Sequence, residues 1–429
     1  MKIFKRISLI GWIMIAFVAG TSLGIVLSEC CTPEQVKTIV SYFAPFGNVL
    51  VAMLKMVVFP IIFFSLFHGA SSMPLKKSGK VGGSVIMWYF CTSVVATIFG
   101  VFMAMLLNPS MDKAGEVASG NLAAVNAMAS NAAGGGSFLN DFVVGLFQNP
   151  FAALSNGQFL SIIVFAVLAG LAARSILDEG GTAAGPVQAL VNIIDGAQQV
   201  AFKIVRWVIY YFPIGVFALT TVNFAENGTL LFGPYLRITV CVIVGVTAMI
   251  GLVYPLAIAI FCRENPYKVL RRIREPLLTA FVTRSSAATL PVSFRAMDNL
   301  GVSRKLSSFS LPMGATINMD GVCVHLPVFV ILAANIFGHA MSFTEIATLC
   351  LSIMFASIGT GGIPGGSVFL LFMVLETLGL TPEQVTLITA LALGINPILD
   401  MFETCCNVAG DNVCTYIVAK KSGLTAAEE

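Results

Sequence analysis

Apolar runs constrain this chain more than any other feature. They lie near residues 7–28, 44–70, 81–107, 139–173, 200–222, 235–262, 308–338 and 384–419. Each reaches about 20 residues or more, enough for a helix to cross the ~30 Å hydrocarbon core of a bilayer. There the backbone must satisfy its own hydrogen bonds, which leaves helices or closed barrels. A barrel needs short segments of alternating polarity, and these runs do not alternate. Hydrophobic residues make up 57% and charged ones 10% of the 429, where a soluble domain carries about 25% charged residues. Mean hydropathy is +0.91. A water-soluble protein is excluded, and the chain reads as an all-α polytopic membrane protein. With 39 Gly and 18 Pro, some helices must be broken.

Lys and Arg set the orientation, because cytoplasmic loops retain them. They cluster at Lys2–Arg6, Lys76–Lys80, Arg174, Lys203 with Arg206, Arg263–Arg274, Arg304 with Lys305, and Lys420 with Lys421. Eight crossings starting inside put all of these on the cytoplasmic face, with both termini cytoplasmic, as expected of a multi-pass plasma (inner) membrane protein. The first run follows Lys2, Lys5 and Arg6 as a signal peptide would, but its 22 apolar residues without a convincing cleavage site fit a retained helix. Loops 29–41, 108–138, 223–234 and 339–345 should face outward, and 114–138, rich in Ala, Gly, Asn and Ser, reads as an external linker. Net charge is only +3, so no nucleic-acid partner is suggested. The ten cysteines lack metal-ligand spacing, and His68, His325 and His339 form no cluster.

Two segments do not read as spans. Residues 276–300 carry a polar tip, SSAATLP, between flanks of cytoplasmic-type charge, and residues 345–378 carry GTGGIPG at theirs. The first should enter from inside and return, the second from outside. Non-helical backbone at membrane depth survives only when buried in protein or lining a polar cavity. Two opposed hairpins meeting at mid-membrane are what an inverted-repeat transporter presents.

Ionisable residues inside a span are functional candidates because they are costly to insert. On the last span Asp400, Glu403 or Thr404, Asn407, Asp411 and Cys414 recur at steps of three and four, so they share one helical face. Arg284 and Arg295 are the few bases expected to be buried with them, so the acids are expected to serve external cations. Asn318 and Asp320 are two residues apart and on a regular helix would point about 200° apart. With Gly314 and Gly321 beside them, a broken helix exposing carbonyl oxygens is expected, a hard oxygen shell suited to Na⁺. Tyr89, Thr92 and Ser93 line up at helical spacing, though such hydroxyls commonly bond their own backbone. No phosphate-binding loop is present. Asp400 and Asp411 would lie about 16 Å apart along a helix, too far to work as one acid/base pair, so the chain reads as a non-enzyme.

The motifs TRSSAATLP (Thr283–Pro291), NMDG (Asn318–Gly321), SIGTGGIPGG (Ser357–Gly366) and DMFETCCNVAGD (Asp400–Asp411), with PFGNVLVAMLKMVVFPIIF (Pro45–Phe63), occur in order. Together they resemble the dicarboxylate/amino acid:cation symporter family, which includes the glutamate transporters, over nearly the whole chain. The resemblance implies a homotrimer, each protomer with eight transmembrane helices and two re-entrant helical hairpins in inverted repeats. It implies scaffold helices 1 and 2 in 1–75, transport-domain helix 3 in 76–110, an external linker at 111–138 and scaffold helices 4 and 5 in 139–230. The rest of the transport domain would be 231–429, with helix 6, hairpin 1 at about 276–300, helix 7, hairpin 2 at about 345–378 and helix 8. This domain would move across the membrane as an elevator.

By the same resemblance Asp400 holds the substrate ammonium, while Ser285, Ser286 and Asn407 hold its carboxylate, and Val322, Ile363, Glu403 and Thr404 complete the substrate site. Gly314, Asn318, Asn407 and Asp411 resemble one Na⁺ site. Carbonyls of Thr316, Ser357, Ile358 and Thr360 resemble a second, and Tyr89, Thr92, Ser93, Asn318 and Asp320 a third. Three coupled Na⁺ and no organic cofactor are implied. Members that carry acidic substrates have an Arg where this chain has Glu403, and a Thr where it has Val322. An anion in place of a bidentate cation should repel an acidic substrate. Glu403 and Ala287 resemble instead the family's sodium/serine-threonine branch. The expectation is Na⁺-coupled symport of a small neutral amino acid, threonine or serine, with a cationic or acidic amino acid or a cation channel as alternatives.

Overall fold

The computed structural model describes residues 9–72, 75–107, 144, 146–156, 159–337, 341–357, 365–377 and 380–424. Its regular elements are helices, beginning with α1 (Leu9–Cys30), α2 (Pro33–Ser71) and α3 (Leu75–Leu107). The short α4 (Pro150–Asn156), α5 (Phe159–Glu179) and α6 (Ala184–Asn227) follow. By length and composition, seven segments of the described residues could cross a membrane. One of them, Ala184–Cys262, has 79 residues, about 118 Å if straight and so long enough for several passes. It is not straight. Phe224 and Tyr235 stack at 5.7 Å between ring centroids, where eleven residues of continuous helix would part them by about 16 Å. The chain reverses at the 3₁₀ turn Gly228–Leu231 and continues as α7 (Phe232–Ala248).

The first outward loop, expected at 29–41, shrinks to Cys31 and Thr32. Thr32 caps α2, accepting from Gln35 N while Gln35 Oε1 accepts from Thr32 N, with Pro33 in the first turn. That capping box satisfies two free N–H groups, so α2 begins eleven residues before the apolar run at 44. The expected span 139–173 gives way, within the described residues, to α4 and α5, and α6 extends the expected 200–222 at both ends. The 114–138 linker lies outside the described residues.

After α7 comes a π-helical turn, Met249–Val253, and then α8 (Tyr254–Cys262). Pro255 has no N–H to offer the Gly251 carbonyl, which accepts from the Tyr267 hydroxyl instead at 3.4 Å. The widened turn fixes where Tyr254 points. Next are α9 (Pro266–Arg272), α10 (Arg274–Thr283) and α11 (Ser286–Asn299). The last two have 10 and 14 residues, about 15 and 21 Å, each too short to span. They pack on each other as a hairpin, turning at Arg284 with φ +53°.

The expected span 308–338 is two helices, α12 (Arg304–Ile317) and α13 (Asp320–Ile336). A second pair follows, α14 (Phe343–Ser357) and α15 (Gly366–Thr377), and the chain ends in α16 (Pro382–Lys421). All of α13 except Asn335 is buried, packed against α3, α7, α14, α15 and α16. Apolar all round, it can only be an inner helix. α1, α2, α5 and α6 pack chiefly on one another. Exposed side chains such as Ile15, Val18, Met87, Ile98 and Phe102 suit a lipid-facing surface.

At the far end of α16, Glu264 ties the helix to the α8–α9 loop. Its Oε1 lies 2.8 Å from Lys420 Nζ, and its Oε2 accepts from the Tyr416 hydroxyl at 2.5 Å. The bond from Lys420, then that from Tyr416, hold the Glu264 carboxyl below its usual 4.5. A depressed folded value stabilises the fold above the unfolded value and loses that effect as pH falls through the folded one. The pair is partly exposed, so its contribution is at most about 1 kcal/mol. Thermal unfolding should find Glu264→Gln slightly less stable than wild type at pH 7, with the gap closing as pH falls below 4.5.

Candidate functional site

The break between α12 and α13 builds the first half of the site. Asn318 (φ −103°, ψ 89°) and Met319 (φ −114°, ψ 56°) leave the helical region, so the Asn318 and Asp320 side chains can turn to the same place. Asp320 Oδ1 accepts from Ser93 Oγ at 3.0 Å and Oδ2 from the Tyr254 hydroxyl at 2.7 Å. Asn318 Oδ1 accepts from Thr92 Oγ1 at 3.2 Å, while its Nδ2 donates to Asp411 Oδ1 at 3.0 Å. The Tyr89 hydroxyl donates to the Ser310 carbonyl at 2.9 Å, and the Ser310 hydroxyl bonds that of Thr415. Five helices, α3, α8, α12, α13 and α16, thus place hard oxygens in one cluster.

Two glycines make that approach possible. A Cβ on Gly314 would sit 2.7 Å from the Tyr89 hydroxyl and 2.8 Å from Asp411 Cγ. One on Gly410 would sit 2.7 Å from Asp320 Oδ2 and 2.8 Å from both Asn318 Nδ2 and the Tyr254 hydroxyl. Asp320 and Asp411 are 0% and 3% exposed. Among the described residues neither has a Lys, Arg or His partner in salt-bridge range. Buried charge without compensation is strongly unfavourable, and oxygen-only donors suit a hard cation. This cluster can hold Na⁺.

The second half lies one to three turns earlier on α16. Asp400, Glu403, Thr404 and Asn407 are 2–4% exposed, the single stripe read from the sequence. Asp400 Oδ2 accepts from Gly365 N at 3.0 Å and lies 3.4 Å from Arg284 Nη1. Glu403 Oε2 lies 2.6 Å from His325 Nδ1. Asn407 Oδ1 accepts from Gly321 N at 2.7 Å, and the Thr404 hydroxyl turns back to the Asp400 carbonyl. Val322 is buried at the start of α13. Ser285 caps α11 by accepting from Ala288 N, and the buried Ser286 hydroxyl beside it has no hydrogen-bond partner among the described residues.

The expectation that the acids serve external cations therefore splits. Asp400 and Glu403 each have a base of this chain, and among the described residues Asp320 and Asp411 do not. Arg295 is not buried; it is 66% exposed, pairing with Glu275 on the hairpin surface. Thr316 and Ser357 turn their hydroxyls onto their own helices, at Met313 O and Met354 O, leaving their carbonyls as the candidate ligands. Ile358, Thr360 and Ile363 lie outside the described residues. Sequence reasoning missed Tyr254, Ser310 and His325. Only His325 left a signal: it follows Val322 by three positions, on the same helical face.

The family model described as the sodium:dicarboxylate symporter family matches residues 9–421. A serine/threonine transporter, SstT, of Bifidobacterium adolescentis is 30% identical, over 95% of this chain and 89% of its own. The human neutral amino acid transporter B(0) is 30% identical, over 93% of this chain and 77% of its own. Human excitatory amino acid transporter 3 is 28% identical, over 98% and 87%.

If the α3/α13/α16 cluster binds Na⁺, Gly410→Ala should displace Asp320 and Asn318 while leaving the outer helices in place. The NaCl concentration giving half the thermal stabilisation of the purified protein, measured against choline chloride, should rise about ten-fold, equivalent to ~1.4 kcal/mol.

Proposed function

The chain belongs to the sodium:dicarboxylate symporter family, and we propose that it is a secondary transporter coupling Na⁺ entry to uptake of a small neutral amino acid, threonine or serine. The observation that carries the substrate class is Glu403. It is buried on α16, three residues from Asp400, at the position where the acidic-substrate members resembled by this sequence carry an arginine. An anion there disfavours a side-chain carboxylate and accepts a hydrogen bond from a hydroxyl. In this reading Asp400 takes the substrate ammonium. The Ser286 hydroxyl, without a partner of its own among the described residues, takes the carboxylate with Ser285 and Asn407. Val322 meets the side-chain methyl, and Ile363 is assigned to the same substrate site by the resemblance alone.

Na⁺ would be held at Asn318, Asn407, Asp411 and the Gly314 carbonyl; at Tyr89, Thr92, Ser93, Asn318 and Asp320; and at carbonyls of Thr316, Ser357, Ile358 and Thr360. Asn318 Nδ2 and Asp411 now bond each other, a contact that an ion would loosen. The mutual packing of α1, α2, α5 and α6 supports a scaffold across which α3 and α7–α16 move as an elevator, in a homotrimer.

Proteoliposomes holding the purified protein should take up radiolabelled threonine under an inward Na⁺ gradient. Excess serine should compete, and aspartate and lysine should not. Competition by aspartate or lysine would overturn the substrate, and Na⁺ current without saturable uptake would favour a channel. Glu403→Arg should weaken threonine binding about ten-fold or more, as expected for a buried charge reversal, and admit aspartate. Unchanged threonine affinity in that variant would remove Glu403 from the side-chain pocket.

A further inference from the structure

A carboxylate facing a substrate side chain is ambiguous, since it can accept a hydroxyl proton or pair with an ammonium. The chain itself supplies a partner for this carboxylate. Glu403 Oε2 meets His325 Nδ1 at 2.6 Å, with the two side chains 4% and 2% exposed. His325 sits on the fully packed α13, its ring 5.0 Å from that of Phe329, so it cannot swing out to water. Its Nε2 has no partner among the described residues, so the one polar contact of the ring is with Glu403. A donor at Nδ1 is present in both the imidazolium and the Nδ1–H tautomer. Among the described residues the pocket's other base, Arg284, lies 3.4 Å from Asp400, a looser approach than the 2.6 Å between His325 and Glu403.

We propose that His325 is a positioning residue that fills the place a substrate cation would take: by donating to Glu403 Oε2 it occupies the carboxylate's acceptor position, so the pocket takes neutral side chains and rejects cationic ones. This rests on the reading above that Glu403 faces the substrate side chain. Loss of the imidazole would leave a buried carboxylate unpaired, a state that a substrate ammonium relieves. The vacated ring volume would also give that ammonium room.

The test uses the full-length protein in nanodiscs at saturating NaCl. Half-saturating concentrations are read from ligand-induced thermal stabilisation by threonine, serine, alanine and 2,4-diaminobutyrate, whose short side chain ends in an ammonium. In wild type the diamino acid should be the poorest ligand. In His325→Ala the ratio of its half-saturating concentration to that of the best neutral amino acid should fall about ten-fold or more. In His325→Asn, whose amide can donate from nearly the Nδ1 position, the ratio should return to within about three-fold of wild type. A purely structural role would weaken all ligands together and leave the ratio alone; that result, or an Asn variant as permissive as the Ala variant, overturns the proposal. If His325→Ala survives purification only with added ligand, diaminobutyrate should preserve it better than threonine, and the opposite order contradicts the proposal. A wild type stabilised by aspartate or diaminobutyrate and by no neutral amino acid would sink the substrate reading itself. A neutral-selective wild type with an unmoved ratio would sink only the role of His325.

Discussion

Among the described residues four carboxylates lie in the interior of a protein suited to hydrocarbon surroundings, and their neutralisation organises everything else about the site. Taking an ion out of water costs several kcal/mol even after relaxation, so each buried acid needs a compensating partner. The structure meets this need in two ways. Asp400 and Glu403 lie against Arg284 and His325. Among the described residues Asp320 and Asp411 have neutral donors as partners, from Ser93, Tyr254 and Asn318. Neutral donors orient a carboxylate without cancelling its charge, so the second pair suits a cation that comes and goes. The first pair suits a ligand that brings both an ammonium and a carboxylate.

This division dictates the irregular backbone. A continuous helix from Arg304 to Ile336 would turn Asn318 and Asp320 away from each other. The two non-helical residues at its centre bring them together, an irregularity tolerated because surrounding helices bury it. The π turn before Tyr254 and the glycines at 314 and 410 serve the same approach, one by aiming a hydroxyl and the others by removing a Cβ from its path. These departures from ideal helix lie near buried acids, where a functional protein concentrates its local conflicts.

Much of this was legible in the sequence. The acid stripe on α16 followed from spacing alone, because 3.6 periodicity is insensitive to tertiary context. The break at Asn318 followed from two polar residues with the wrong spacing for one face. The start of α2 was misread because hydropathy marks lipid contact and not helicity. TPEQ at Thr32–Gln35, a capping box that recurs at Thr381–Gln384, was the better signal. His325 and Arg295 were misjudged for a shared reason: which base reaches which acid depends on packing between helices far apart in sequence. Tyr254 shows the same limit, since a tyrosine in an apolar run reads like any other aromatic residue until its partner, 66 residues away, is known.

The central claim is that Asp320 and Asp411 are left without bases so that Na⁺ can neutralise them. A high-resolution electron cryomicroscopy map of the protein in saturating NaCl, paired with one in choline chloride, tests it most directly. The account predicts density at oxygen-coordination distance from Asp411 and from Asp320 in Na⁺ alone, with the bond between Asn318 Nδ2 and Asp411 opened. Identical maps in the two salts, with both carboxylates still bonded only to Asn318, Ser93 and Tyr254, would contradict it.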